Sequence, residues 1–193
     1  MEQLDQLNQP GPIDEGVLAG AVYVPSPNCN DRPADGAVDL LVLHNISLPP
    51  GQFGSGCVTD FFTNTLDPAR HPYFETIAGL QVSAHLLIER DGRVIQFVPF
   101  HRRAWHAGVS CWQGREQCND YSIGIELEGT DDTPYTDAQY SQLVRVVHSL
   151  QQAYPALTAE RIVGHSDIAA GRKTDPGTAF DWRRFRGELE AVT

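Results

Sequence analysis

The sequence predicts a mixed α/β domain, a central β-sheet flanked by helices. Three observations carry that prediction. "VDLLVLHN" (38–45) is an unbroken aliphatic and β-branched run, the mark of a strand buried on both faces. "TDAQYSQLVRVVHSLQQAY" (136–154) sets Tyr140, Leu143, Val144, Val147 and Leu150 at i, i+3, i+4 spacing, which is one buried helical face. That helix lies between "DYSIGIELEG" (120–129) and "RIVGH" (161–165), two short β-branched segments. A strand–helix–strand unit of this kind points to parallel pairing.

The remaining elements follow in order. Residues 1–36 are rich in Pro, Gly, Asn and Asp and read as a mostly irregular arm, 1–19 in particular, around a short strand near "GAVYV". "SLPPGQFGSG" is a loop, and "CVTDFFTNTL" (57–66) a short helix. "VSAHLLIERDGRVIQFVPF" (82–100) reads as a β-hairpin turning at Asp91-Gly92, with a type I′ turn expected because Gly accepts positive φ. Thr136 and Gln139 fit a capping box at the start of the long helix. "DWRRFRGELEAV" is a closing helix with Asp181 near its start. With no internal repeats, residues 1–193 are expected to form a single domain.

Composition narrows the function. The formal charge is -11, the wrong sign for binding a phosphate backbone, so nucleic acid is not an expected partner. No apolar run approaches the roughly 18–20 residues that span a bilayer, so no membrane association is expected. "MEQLDQLNQPGPIDEG" lacks the basic and apolar regions of a signal peptide, so a cytoplasmic protein is the expectation. Cys29, Cys57, Cys111 and Cys118 are far apart and never spaced Cys-x-x-Cys, which disfavours a zinc site of cysteines and fits free thiols.

The chemistry-bearing residues collect at strand ends. His44 closes "LLVLH" and His165 closes "RIVGH", and strand ends beside loops are where sites are usually built. Taken alone, each reads equally as a histidine that caps a strand. With Asp175, ten residues beyond His165, they form a candidate His/His/Asp set for a catalytic metal with an open position. Glu126 and Glu128 are two apart on one strand and share a face. They read either as solvated carboxylates or as a pair containing a general base. Lys173, in "GHSDIAAGRKTDPG", is a solvated loop lysine unless the loop is pinned at both ends, in which case its ammonium can face an oxyanion. Trp105 and Trp112 in "RRAWHAGVSCWQG" are either a sugar or peptide platform or a packed plug. His71, His101 and His148 read as structural or exposed, and the orientation of His85 is left open.

These same segments resemble a known family. "VPSPNCNDRP", "LLVLHNISLPPGQFG", "VSAHLLIERDGRVIQFVPFHRRAWHAG", "CNDYSIGIELEGTD" and "GHSDIAAGRKTDPGTAFDW" are together similar to the AmpD-type N-acetylmuramoyl-L-alanine amidases, over roughly residues 20–186. The resemblance implies the fold of peptidoglycan recognition proteins. It implies one zinc ion per chain on His44, His165 and Asp175, with Glu126 as catalytic carboxylate rather than Glu128, and Lys173 as oxyanion stabiliser. Asn45 and Trp105 are then expected to touch substrate. The implied reaction is hydrolysis of the amide between the lactyl group of anhydro-N-acetylmuramic acid and L-alanine. The implied partner is an anhydromuramoyl tri- or tetrapeptide, with no obligate protein partner. The implied setting is cytosolic cell-wall recycling, which in some bacteria feeds control of β-lactamase induction. One departure stands out: Gln81 and Gln117 occupy positions where basic residues are expected, which puts the peptide preference in question. A non-catalytic binding module would lack a metal ligand, and a metal-dependent nuclease would carry a basic groove.

Overall fold

A computed structural model of the chain describes residues 11–34 and 36–191. Six strands make the main sheet: β1 (Val22–Tyr23), β2 (Leu40–Ile46), β3 (Leu86–Ile88), β4 (Val94–Gln96), β5 (Ser122–Glu128) and β6 (Ile162–Gly164). Their spatial order is β6-β2-β5-β3-β4-β1. β2 pairs in parallel with both β5 and β6, and β5 in parallel with β3. β3 and β4 form an antiparallel hairpin, and β4 takes β1 in parallel. The sheet is therefore mixed, as expected, and β2 lies between the two strands that the long helix connects.

Among the described residues five α-helices accompany it: α1 (Cys57–Phe62), α2 (Pro72–Ile77), α3 (Asp137–Ala153), α4 (His165–Ile168) and α5 (Trp182–Glu190). α3 begins with the predicted capping box, Thr136 and Gln139 each accepting the other's backbone N–H. α5 begins with Asp181, whose carboxylate accepts the Arg184 N–H. Such caps satisfy amides that a helix start leaves unpaired, worth about 1 kcal/mol each.

The two faces of the sheet are buried differently. Leu41 and Leu43 of β2 and Ile123, Ile125 and Leu127 of β5 meet Leu143, Val147 and Leu150 of α3 and Phe185 of α5. Each such side chain contributes about 1.5–3 kcal/mol of burial, so this face anchors the fold. On the other face, Leu40 and Val42 pack with Tyr121, Val163 and Ile168. Further along, Leu87 and Ile95 lie under Phe61, Phe62 and Phe74 of α1 and α2. Apolar side chains therefore leave both faces of β2, and that is why its sequence does not alternate.

Three local features differ from expectation. The β3–β4 loop is not a type I′ turn. That turn needs positive φ at two successive residues, and of Arg90, Asp91 and Gly92 only Gly92 has it, at 88°. The chain instead makes a three-residue loop, with the Gly92 N–H donating to the Glu89 carbonyl and the Glu89 N–H to Arg93. A pair of positive φ values does occur at Glu15 (47°) and Gly16 (79°), joining Ile13–Asp14 to Val17–Leu18 as a tight ribbon. Residues 13–18 are thus ordered, with Leu18 buried in the main core, while residues 1–10 of the expected arm lie outside the described residues. Helix α2 has no counterpart among the elements expected from the sequence. His71 caps it by accepting the Tyr73 N–H at 3.1 Å, so this histidine is structural. Among the described residues, no helix is long and apolar enough to cross a membrane.

Candidate active site

β2 and β5 set the site through their register. His44 is paired with Glu126, and two residues on Ile46 is paired with Glu128. In-register parallel partners point to the same face, so His44 and Glu126 both open onto the side away from α3. β6, on the other flank of β2, ends at Gly164 and delivers His165 as the first residue of α4. The loop after α4 then folds back, with the Ser166 N–H donating to the Asp175 carbonyl at 3.0 Å. Within the loop, Asp167 accepts the Gly164 N–H at 2.7 Å. Arg172 donates to the carbonyls of Ala107 and Val109 at 2.8 and 2.6 Å. Asp167 and Arg172 shape the loop.

The result is a convergence of three donors. His44 Nδ1 lies 2.9 Å from His165 Nδ1 and 3.0 Å from Asp175 Oδ2, and His165 Nδ1 lies 3.0 Å from the same oxygen. Two imidazole nitrogens and a carboxylate aimed at one point crowd three lone pairs together. A small divalent cation resolves that crowding, and two N donors with one O donor suit zinc. Each imidazole turns its other nitrogen to an acceptor. His165 Nε2 faces the Ala107 carbonyl at 3.1 Å, and His44 Nε2 faces His106 Nδ1 at 2.9 Å.

Electrostatics fit that use. Burial pushes the His44 imidazole down to about 4, so it is neutral and able to ligate. Burial works to raise Asp175, but the His165 and His44 imidazoles set against its carboxylate outweigh burial and hold the carboxyl well below its usual range. Glu126 is 8% exposed, and one of its carboxylate oxygens is buried without a partner. Burial, reinforced by the nearby Asp175 charge, raises the Glu126 carboxyl well above its ordinary value, with Lys173 opposing. Glu128 differs. It accepts the Gly54 N–H at 2.6 Å and the Arg90 N–H at 3.3 Å, so it is spent on holding two loops.

His44, His165, Asp175 and Glu126 line one cleft of about 620 Å³. Its walls include Asn45, Phe61, Trp105, Asp131 and Lys173. Trp105 donates its indole N–H to Asn30 at 2.8 Å, and Asn45 donates to Asp131 at 2.9 Å. All seven residues singled out from the sequence as site residues therefore meet in this cleft. Trp112 does not. It packs as a plug against Leu40 and Val42 and their neighbours. Gln81 belongs to an adjoining recess with Leu66 and Phe74, and Gln117 to a separate groove beside Arg172. His85 is fully buried, accepting the Gly124 N–H at 3.0 Å and donating to the Arg102 carbonyl at 3.0 Å. Sequence reading gave no role to His106, Asn119 or Ser122, which stand behind the two imidazoles. Nothing in their local spacing marks them, because their partners are distant in the chain.

Known proteins agree with this arrangement. Residues 34–178 match the Amidase_2 family, described as N-acetylmuramoyl-L-alanine amidase. The 1,6-anhydro-N-acetylmuramyl-L-alanine amidase AmpD of Escherichia coli K12 is 60% identical over 174 residues, covering 90% of this chain and 94% of that protein. A crystal structure of a selenomethionine derivative of AmpD superposes with a TM-score of 0.89 at 60% identity, covering 92% of this chain and 98% of that one. AmpDh3 of Pseudomonas aeruginosa, crystallised in complex with anhydromuramic pentapeptide, is 30% identical with a TM-score of 0.59, over 86% of this chain and 66% of that one. Family match, long high-identity relatives and the cleft's donor set point the same way: the chain belongs to the N-acetylmuramoyl-L-alanine amidase family and is an amidase of the AmpD type.

Proposed function

We propose that this chain hydrolyses, in a zinc-dependent reaction, the amide joining the lactyl group of 1,6-anhydro-N-acetylmuramic acid to the L-alanine of its stem peptide. The observation that carries the reading is the meeting of His44 Nδ1, His165 Nδ1 and Asp175 Oδ2 beside Glu126 in one cleft. The substrate class is supported by relatives whose names carry it and by a relative that binds an anhydromuramic pentapeptide.

His44, His165 and Asp175 would hold the ion, with Asp175 kept ionised by the two imidazoles. Zinc bound there supplies a Lewis acid for the carbonyl and lowers the pKa of a water towards ~7. Glu126, poorly solvated and raised, takes a proton from the attacking water and returns it to the departing alanine nitrogen. Lys173 offers its ammonium to the oxyanion on the lactyl carbon, a contact worth roughly 3–4 kcal/mol in sites of this kind. Asn45 and Trp105 contact the substrate from the cleft walls. The chain acts as a single domain in the cytosol on recycled wall fragments, and where such fragments induce β-lactamase it lowers the inducer. Mass spectrometry of purified anhydromuramoyl tripeptide incubated with the protein tests this. Free tripeptide should appear and should vanish with a chelator. Intact substrate after prolonged incubation with zinc-loaded protein would overturn the reading.

A further inference from the structure

The segment Trp105–Gly108 stands behind both histidines, and its role extends beyond packing. Ala107 presents its carbonyl to His165 Nε2, and the neighbouring His106 presents its ring to His44 Nε2. Asn119 fixes the segment by accepting the N–H groups of both His106 and Ala107, at 3.1 and 2.8 Å. One short segment, through a main-chain carbonyl and a side-chain ring, therefore orients both imidazoles.

The polarity of the His44 arm can be followed from its far end. Ser122 Oγ lies 2.5 Å from the Cys118 carbonyl, which can only accept, so the hydroxyl donates to it. Ser122 Oγ then has only lone pairs to offer His106 Nε2, 3.2 Å away, so that nitrogen carries the proton. A neutral His106 is left with a bare Nδ1, which accepts from His44 Nε2 at 2.9 Å. His44 with its proton on Nε2 has a bare Nδ1, the atom turned towards His165 and Asp175. A main-chain carbonyl thus sets a tautomer three groups away. The packing reserves room for the chain. A Cβ at Gly124 would come within 2.5 Å of the His106 ring, so a side chain on β5 at that position would displace it.

We propose that His106 is a positioning residue: with Ser122 and the Cys118 carbonyl it locks His44 in the tautomer whose Nδ1 is free for the metal ion. The inference rests on the reading of His44 as a zinc ligand.

The test measures zinc affinity by competition with a chelator of known affinity, alongside nitrogen-15 NMR of the histidine side chains. His106→Leu removes the acceptor and should weaken zinc binding by about 10–100-fold, as losses behind a ligand do. His106→Asn returns an amide oxygen near the place of Nδ1 and should recover most of that loss. Ser122→Ala should let His106 populate both tautomers in the spectra and weaken zinc by a smaller factor. In the zinc-loaded wild-type protein, His106 should be the Nε2–H tautomer. Unchanged affinity in His106→Leu, no recovery in His106→Asn, or an Nδ1–H His106 in the wild type would each overturn the lock while leaving the zinc reading intact. Failure of the wild-type protein to bind zinc at all would overturn both. If His106→Leu does not fold, Ser122→Ala and the wild-type spectra decide the matter.

Discussion

Glu126 stands opposite His44 in the parallel register of β5 on β2, so the carboxylate and the imidazole leave the sheet side by side. Glu128, one pleat further on the same face, is held by Gly54 and Arg90 instead. Two glutamates that a strand pattern treats alike are therefore different in kind. Glu126→Gln should keep zinc and lower kcat/KM by at least about 10²–10⁴, the range for loss of a positioned acid–base group. Glu128→Ala should lower stability by about 1–3 kcal/mol through the loss of two hydrogen bonds to a charged group, with a much smaller effect on kcat. Parallel assays with zinc content and urea melts check both. Similar losses of activity in the two variants would put the general base elsewhere.

Lys173 reaches the site by a different route. It lies on an exposed loop and owes its place to the ends of that loop, His165 and Asp175, and to the Arg172 contact with Ala107. Lys173→Ala should reduce kcat by about 10²–10³ with little change in KM, since an oxyanion contact acts mainly in the transition state. A loss confined to KM would make it a substrate-binding residue instead.

Much of this was legible in the sequence because it is local. The β2 run, the α3 stripe and the Thr136/Gln139 cap each encode their element within a few residues, and His165 follows directly on the end of β6, whereas His44, expected at a strand end, lies inside β2, which stays paired with β5 through Ile46. The pieces behind the site were not legible. Ser122, His106 and Cys118 act on His44 only because β5 lies against β2, and a hydrogen-bond chain that joins residues 118–122, 106 and 44 leaves no spacing to read. The hairpin turn departs from the expected type I′ geometry for a related reason. Asp-Gly fits more than one loop length, and the Glu89–Arg93 pairing selects between them.

Metal removal should act on stability as well as on activity. A ligand that binds only the folded chain stabilises it by RT ln(1 + [L]/Kd), about 4 kcal/mol at a thousandfold excess over Kd. Chelation should therefore lower the midpoint of thermal unfolding. His44→Ala, which lacks a ligand, should show a much smaller chelator-dependent shift. Equal shifts in the two proteins would mean that the chelator acts elsewhere.

Acid should destabilise the zinc-free chain through its buried histidines. His85 is held well below its ordinary value, first by burial and then by the Arg32 guanidinium 3.1 Å from its Nε2. Below pH ~6.5 the unfolded chain takes up a proton at this position that the folded chain refuses. Stability is thus fully present above pH ~6.5 and falls as pH drops, by about 1.4 kcal/mol per unit for each such histidine. His85→Gln cannot titrate, so its stability between pH 6.5 and 5 should fall less steeply than that of the wild type by about that amount. Urea melts across this range check it, and parallel slopes would refute the assignment.

Gly177 closes the loop that begins at His165, and its backbone leaves little choice of residue. Its φ is 81°, a region that costs a residue with a Cβ about 1–2 kcal/mol. A Cβ there would also overlap the main chain of Asp131, whose carbonyl accepts the Ala179 N–H and whose side chain holds Asn45. Backbone cannot swing aside as a side chain can, so Gly177→Ala must shift either Asp131 or the segment carrying Asp175. We expect a loss of stability above about 2 kcal/mol, with weakened zinc binding as the Asp175 carboxylate moves off the two imidazoles. Urea unfolding of the zinc-free protein isolates the first effect, and chelator competition reads the second. A variant as stable as the wild type would mean that the loop has a second path past Asp131.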